Sequence, residues 1–458
     1  MKRRISYHLA NMAQALSLGL LLAFLAIQSC IAIELTDHID LWPMPTSVSH
    51  GTQRLYVSKD ITMSMEGSTY PDGKGILKDA FQRVVDLMKL NHVVDGANPS
   101  SFVLTGVNVV VHSPEDELKF GVDESYNLSV PTAGYPLRVQ IEAQTVFGAL
   151  HALQTFSQLC YFDFTSKLIE LISAPWRISD TPRFPYRGLL IDTSRHYLPV
   201  TNVLHWHIVD AQSFPIEIPS YPKLWNGSYS FSERYTTSDA VDIVRYAENR
   251  GVNVMAEIDV PGHALSWGVG YPSLWPSDSC KEPLDVSNNF TFGVIDGILS
   301  GGDEVNTSCW TATPHIKKWL GEDVAPKVVA AGLRCIVSNQ DKWYLDHLDA
   351  TWEGFYTNEP LKGIDDPEQQ SLVIGGEVCM WGEQIDASDI EQTIWPRAAA
   401  AAERLWTPIE KIAEDPRLVT SRLARFRCLL NQRGVAAAPV AGYGRTAPYE
   451  PGPCNHKN

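Results

Sequence analysis

The apolar positions change period along the chain. Between residues 40 and 165 two periods take turns. Leu137, Val139 and Ile141 alternate with Arg138, Gln140 and Glu142, the two-residue rhythm of a half-buried strand. Residues 101–112 and 126–130 read as further strands. Leu77, Ala80, Phe81, Val84, Val85 and Met88 recur at helical spacing, as do Val146, Leu150 and Leu153, so two amphipathic helices accompany the sheet. This predicts a small α+β domain over 33–165, and no catalytic constellation falls inside it.

From Pro185 the texture changes. Residues 188–192, 203–210 and 252–259 are apolar runs that end in polar or aromatic residues. A helix capped by Ser238 and stopped by Gly251 separates the second from the third. Strand, helix, strand with the chemistry gathered after each strand predicts a parallel α/β fold, a (β/α)8 (TIM) barrel over 166–458. The barrel is incomplete in three places. Only residues 193–202 separate the first two strands, with no amphipathic helix, although a parallel crossover needs roughly a dozen residues. A helical stretch, 290–299, runs straight into Gly-Gly-Asp-Glu at 301–304 with no strand to carry it. A second helical stretch, 313–320, passes through 321–323 into another helix. Segments therefore look absent near 200, 300 and 323.

Composition narrows the class. With 458 residues, 44% apolar and 20% charged, the chain can bury a large core. A net charge of −16 argues against a nucleic-acid partner, which would select a basic stripe. Lys2, Arg3 and Arg4 precede an apolar run over 13–27 and small residues at 29–32, the layout of a secretory signal peptide over 1–32. The competing reading is an uncleaved membrane anchor; with cleavage no stable span remains. Sequons at Asn127, Asn226, Asn289 and Asn306 fit export to the secretory pathway, in a vacuole- or lysosome-like compartment or outside the cell. The cysteines show no metal-ligand spacing, so disulfides with at least one free thiol are expected rather than zinc.

Asp303 and Glu304 follow a double glycine, so both carboxylates could turn into one pocket. Close like charges raise one pKa and suit that group to general acid work. Alone the motif is weak, since surface turns share it. His205 and His207 could suggest zinc, but no Cys or Asp stands at a usual third-ligand spacing, and a satisfied core histidine pair is the plainer reading. Trp343-Tyr344, Tyr356 and Trp381-Gly-Glu383 add an aromatic wall suited to a sugar.

Taken in order, several motifs resemble the β-N-acetylhexosaminidases of glycoside hydrolase family twenty, plant-type members above all. They are Arg187-Gly-Leu-Leu-Ile-Asp192-Thr-Ser-Arg195-His196, Trp206-His-Ile-Val-Asp210, Asp259-Val-Pro-Gly-His263, Gly-Gly-Asp303-Glu304 and Trp381-Gly-Glu383. The resemblance spans Trp42 to Cys454. It implies a retaining exo-hydrolase that removes terminal N-acetylglucosamine or N-acetylgalactosamine from an oligosaccharide or glycoconjugate, without metal or cofactor. The mechanism it implies is the substrate-assisted exception to two-carboxylate catalysis. Glu304 would be the acid/base and Asp303 would orient the acetamido group. Tyr356 would bond the acetamido carbonyl, Arg195 and Glu383 would grip hydroxyls, Asp210 and His263 would support the carboxylate pair, and Trp343 and Trp381 would wall the pocket. It further implies the bridges Cys280–Cys309 and Cys428–Cys454, and the possibility of a homodimer. The three breaks coincide with places where members of that family carry more chain. Two other readings stand beside it: an inactive truncated isoform that at most binds sugar, and a different barrel glycosidase with a protein carboxylate as nucleophile.

Overall fold

The computed structural model describes residues 39–97, 102–133, 136–198, 205–260, 262–282, 284–285, 287–298 and 324–440. Residues 41–458 form one compact unit, and two sheets organise it. The first contains β1 (Ser47–Ser64), β2 (Val103–Val111), β3 (Tyr126–Val130), β4 (Leu137–Ala143), β5 (Cys160–Asp163) and β6 (Leu168–Asp180), in the order β1-β2-β4-β3-β6-β5, with β1 also paired to β6. Helices α1 (Ile76–Lys89) and α2 (Val146–Leu159) pack together against it. The alternation read in the sequence is the burial seen in β4: Leu137, Val139, Ile141 and Ala143 point inward, while Gln140 and Glu142 face water. Thr145 caps α2, its hydroxyl accepting from the Gly148 amide.

The boundary expected at residue 165 moves to Asp180. Strand β6 lies past 165, yet it pairs antiparallel with β1, β3 and β5 and therefore belongs to the first sheet.

The second sheet is wholly parallel and contains β7 (Tyr186–Asp192), β8 (His205–Val209), β9 (Met255–Ile258), β10 (Cys335–Val337) and β11 (Val373–Met380), in the order β10-β11-β7-β8-β9. This is the curled sheet of a (β/α)8 barrel in part. Its first and last strands, β7 and β11, meet in register, with Gly376 opposite Arg187 and Met380 opposite Ile191. Among the described residues the arc holds five strands, and β9 and β10 have no partner on their outer sides. Parallel strands are normally covered on both faces. Here Met255 on β9 is 43% exposed and Ile336 on β10 is 37% exposed, which marks where the arc stops.

Around the sheet lie α3 (Thr237–Glu248), α4 (Asn289–Asp296), α5 (Val324–Ala330), α6 (Trp352–Thr357), α7 (Arg397–Trp406) and α8 (Thr420–Gln432). The cap of α3 is Thr236, not Ser238. The Asp239 carboxylate accepts from the Thr236 amide while Thr236 Oγ1 accepts from the Asp239 amide, a reciprocal box that Ser238, inside the first turn, cannot make. One apolar cluster joins β7, β10 and β11 to α6, α7 and α8 and includes Trp42; a second surrounds β8 and β9.

The two sheets are fastened by polar contacts. Arg187 Nη2 donates to Glu124 at 2.6 Å, and its guanidinium lies 4.9 Å from the Trp406 ring centre. Trp406 Nε1 donates to buried Asp180, and Trp42 Nε1 donates to the Ala399 carbonyl, both at 2.9 Å. Among the described residues no helix is long and apolar enough to cross a membrane.

Of the expected bridge Cys280–Cys309, Cys309 lies outside the described residues. Cys280 is an exposed free thiol at a tight turn with Ser277, and its sulfur faces the Glu282 carbonyl within the same loop. Cys428 is buried on α8, and Cys454, its expected partner, lies outside the described residues.

Candidate active site

The site lies beyond the carboxyl ends of β7, β8 and β9 and in the loops after β10 and β11, where barrel chemistry gathers. Asp192 closes β7 and is 3% exposed. One of its oxygens accepts from the amides of Ser194 and Arg195, at 2.9 and 3.1 Å. The other accepts from Arg195 Nη1 at 2.8 Å and from the Gly382 amide at 3.0 Å. One carboxylate thus fixes both Arg195 and the Trp381-Gly-Glu383 loop. A side chain at 382 would press on Asp192 and on Cβ of Arg195, so the close approach requires glycine.

Arg195 is held from two sides, since its Nη2 meets Asp210 at 2.9 Å. Its guanidinium stands 5.4 Å from the Trp381 ring centre, with Glu383 at 3.5 Å from Nε. Burial works against its charge, and Asp192, Asp210 and Glu383 outweigh that, so its pKa rises. Asp210, fully buried after β8, also faces His263 Nδ1 and His207 Nε2, each at 3.0 Å. His263 reaches it from a left-handed backbone, φ 54°, a conformation that L-residues seldom adopt away from functional loops.

Behind Asp210 runs a chain of alternating rings and carboxylates. His207 Nδ1 is 2.9 Å from Glu257, His205 Nε2 is 3.3 Å from the same carboxylate, and His205 Nδ1 is 2.9 Å from Glu377. Tyr186 closes the row by donating its hydroxyl to Glu377. Burial opposes charge on His205, His207, Asp210 and Glu257, and their pairings outweigh it. His205 is pushed up to about 9 and His207 up to about 10, while the carboxyls of Asp210 and Glu257 are held far below their ordinary range. His207, Glu257 and Asp259 also gather within 4.8 Å, a donor set that could hold a metal ion. The sequence offered no third ligand because Glu257 and Asp259 reach His207 from β9, the neighbouring strand. Both ring nitrogens of His207 are already engaged, so the cluster is a hydrogen-bonded one.

Asp303, Glu304, Asn306, Cys309 and Cys454 lie outside the described residues. The structure brings Arg195, Asp210, His263, Trp381 and Glu383 together. It does not bring Trp343 or Tyr356. Trp343 is fully buried beneath β11, donating Nε1 to the Phe355 carbonyl at 3.0 Å. Tyr356, on α6, is fully buried too; its hydroxyl donates to Glu403 at 3.3 Å and accepts from the Ala413 amide at 3.1 Å. It belongs to the core beside Trp42.

Tyr344 takes the place at the site, its ring 5.9 Å from that of Trp381. The backbone is extended there, and Tyr344 bridges to Cys379 of β11. Trp343 ends the short helix Gln340–Trp343 and is buried in the core, whereas Tyr344, just past the helix, turns into an extended bridge. Two residues on, Asp346 is half-buried, its carboxyl raised by burial and opposed by the charges of His347, Arg397 and Arg195. Asp192 and Asp346 were missed because isolated aspartates after apolar runs carry no signal without their partners. Asn127, Asn226 and Asn289 all have exposed side chains.

A partial parallel barrel whose strand ends offer a clamped guanidinium, carboxylates and an aromatic face defines a glycoside hydrolase of the barrel type. The chain belongs to glycosyl hydrolase family 20: the description "Glycosyl hydrolase family 20, catalytic domain" matches residues 184–299 and 316–409, and "beta-acetyl hexosaminidase like" matches 41–159. It is similar to beta-hexosaminidase 3 of Arabidopsis thaliana, 54% identical over 508 aligned positions covering 92% of this chain and 95% of that protein. Beta-hexosaminidase 1 of the same plant is 46% identical, with 95% and 98% covered. The crystal structure of a chitobiase from Flavobacterium johnsoniae superposes with a TM-score of 0.71 at 26% identity, covering 87% of this chain and 73% of that one. The first alignment has 508 positions against 458 residues here, so this chain is gapped within it.

Proposed function

We propose that the chain is an exo-acting, retaining β-N-acetylhexosaminidase that removes terminal N-acetylglucosamine or N-acetylgalactosamine by substrate assistance. The observation that carries the reading is the clamped Arg195 beside Trp381 and Glu383, joined to membership of family 20. Three buried polar atoms there, Arg195 Nε, Trp381 Nε1 and Asp346 Oδ1, make no hydrogen bond among the described residues. Buried polar groups ordinarily have partners, and a sugar's hydroxyl and acetamido groups supply donors and acceptors to match.

In this reading Glu304 protonates the leaving glycosidic oxygen and the acetamido oxygen attacks the anomeric carbon. Asp303 holds the acetamido N–H and balances the positive charge that develops. Tyr344, in place of Tyr356, donates its hydroxyl to the acetamido oxygen. Export, glycans at Asn127, Asn226, Asn289 and Asn306, the bridge Cys428–Cys454, residence in an acidic lumen or outside the cell, and a homodimer belong to the same proposal.

The test is hydrolysis of an aryl N-acetyl-β-glucosaminide at acid pH by the full chain. The expected outcome is turnover that Glu304→Gln reduces at least a hundredfold. Equal hydrolysis of the plain aryl glucoside would point to a protein nucleophile and overturn substrate assistance. A second reading, an inactive sugar binder, is favoured by the two open edges of the five-stranded arc. Binding of N-acetylglucosamine without any turnover, beside an active longer relative, supports it.

A further inference from the structure

The row Glu377–His205–Glu257–His207–Asp210 has a property that follows from its connectivity. A carboxylate offers only acceptors. Each ring here faces a carboxylate at both nitrogens: His205 meets Glu377 and Glu257, and His207 meets Glu257 and Asp210. With these carboxylates ionised, both nitrogens of both rings carry hydrogen, which makes each ring an imidazolium. Charges then alternate along the row and end on Asp210, whose other side-chain contacts are Arg195, His263 and the Ala211 amide.

We propose that Glu257 and His207 are positioning residues for the sugar site, holding Asp210 as an oriented anion so that it locks the guanidinium of Arg195 and the ring of His263. The inference rests on the function proposed above, and adds to it a support that reaches through three neighbouring strands. Geometry assigns the work as follows. His207 occupies one lone pair of Asp210 and leaves the others to Arg195 and His263. Glu257 is shared between His205 and His207, so it fixes their rotation together. Glu377 sits in space that Gly188 leaves open, since a side chain there would strike its carboxylate. The charged and titratable groups that face the row are Tyr186 and Asp192 from β7, Asp259 beyond β9, Cys379 from β11 and Asp346 beyond β10. The counter-charge nearest to Asp210 is Arg195.

The experiment uses the full chain with nitrogen-labelled histidine and arginine, followed by NMR between pH 5 and 10, with N-acetylglucosamine binding measured alongside by calorimetry. The wild type is expected to show His205 and His207 protonated at both ring nitrogens at pH 7, and a slowly exchanging Arg195 Nε–H. In Glu257→Gln the His207 ring should lose one proton at pH 7, the Arg195 signal should broaden, and sugar affinity should fall about tenfold. Glu257→Asp should restore part of each. Neutral rings in the wild type would overturn the proposal without reference to any variant. So would an unchanged Arg195 signal and affinity in Glu257→Gln once its rings had changed state. Protonated rings and a locked Arg195 in a chain that binds no sugar would retire the function and leave the ion row standing. If Glu257→Gln fails to fold, His205→Gln, one step further from Asp210, is the substitute, with the same signals read.

Discussion

At the scale of single residues, the two tyrosines test the geometry. Tyr344→Phe should lower kcat/KM at least tenfold and leave stability within about 0.5 kcal/mol, because its hydroxyl belongs to the pocket. Tyr356→Phe should do the reverse. It strands the Ala413 amide in the core and removes one of the donors to Glu403, at a cost of about 1–3 kcal/mol, with kinetics preserved. Denaturant titration of each variant beside steady-state kinetics reads both. The histidine row makes a prediction in pH. The imidazoles, ordinarily near 6.5, hold their protons to about 9 and about 10, so their stabilisation is complete below 6.5 and disappears as pH rises through 9 to 10. Asp210 and Glu257 act in the opposite sense: their contribution is whole above ordinary carboxyl values and is lost only at strong acid. The melting temperature should be level from about pH 5 to about 6.5, fall as pH rises from there to about 9–10, and show no further loss from these rings above that. A melting temperature that stays level between about pH 6.5 and 9 in circular-dichroism melts would mean neutral rings. Arg195, Asp210 and Glu383 were legible because motif and strand end coincide. Tyr344 was lost because two adjacent aromatics look alike until the helix end between them sends one into the core and the other towards Trp381.

At the scale of elements, β3, β4, α1 and α2 were legible because their periods are clean. Strand β1 was not, since half its length alternates polar with polar over an open face. Strand β6 was assigned to the wrong domain because antiparallel pairing with β1 and β3 is a property of neighbours, not of its own residues. Helices α7 and α8 are joined by a buried ion pair: Arg422 Nη1 donates to Glu403 at 2.6 Å and also to the Leu41 carbonyl at 3.0 Å. Glu403 in turn accepts from the Met44 amide at 3.2 Å. Removing one partner leaves a charge buried and alone. Glu403→Ala should therefore cost roughly 3–5 kcal/mol by chemical denaturation, whereas replacing exposed Asp415, paired with Arg417, should leave stability essentially unchanged.

At the scale of the whole molecule, the barrel class was legible and its interruption was too, because crossover lengths can be counted. What no count could supply is which strands remain. Among the described residues they are β7, β8 and β9 on one side and β10 and β11 on the other, so the open sides belong to β9 and β10. Amides of β9 and β10 should exchange with deuterium well before those of β7 and β11, which are paired on both sides, in a native-state time course. Equal protection across the sheet would mean that the arc is covered.

The pairing of β11 with β7 has a consequence for how the molecule is born. Strands that lie side by side in the finished sheet leave the ribosome far apart in time, since Arg187 must wait for Gly376. Strands β1 to β6 need nothing beyond Asp180, and can assemble while synthesis continues. The catalytic sheet commits late, and the finished first domain, presenting Glu124 and Asp180, is already the surface on which Arg187 and then Trp406 come to rest.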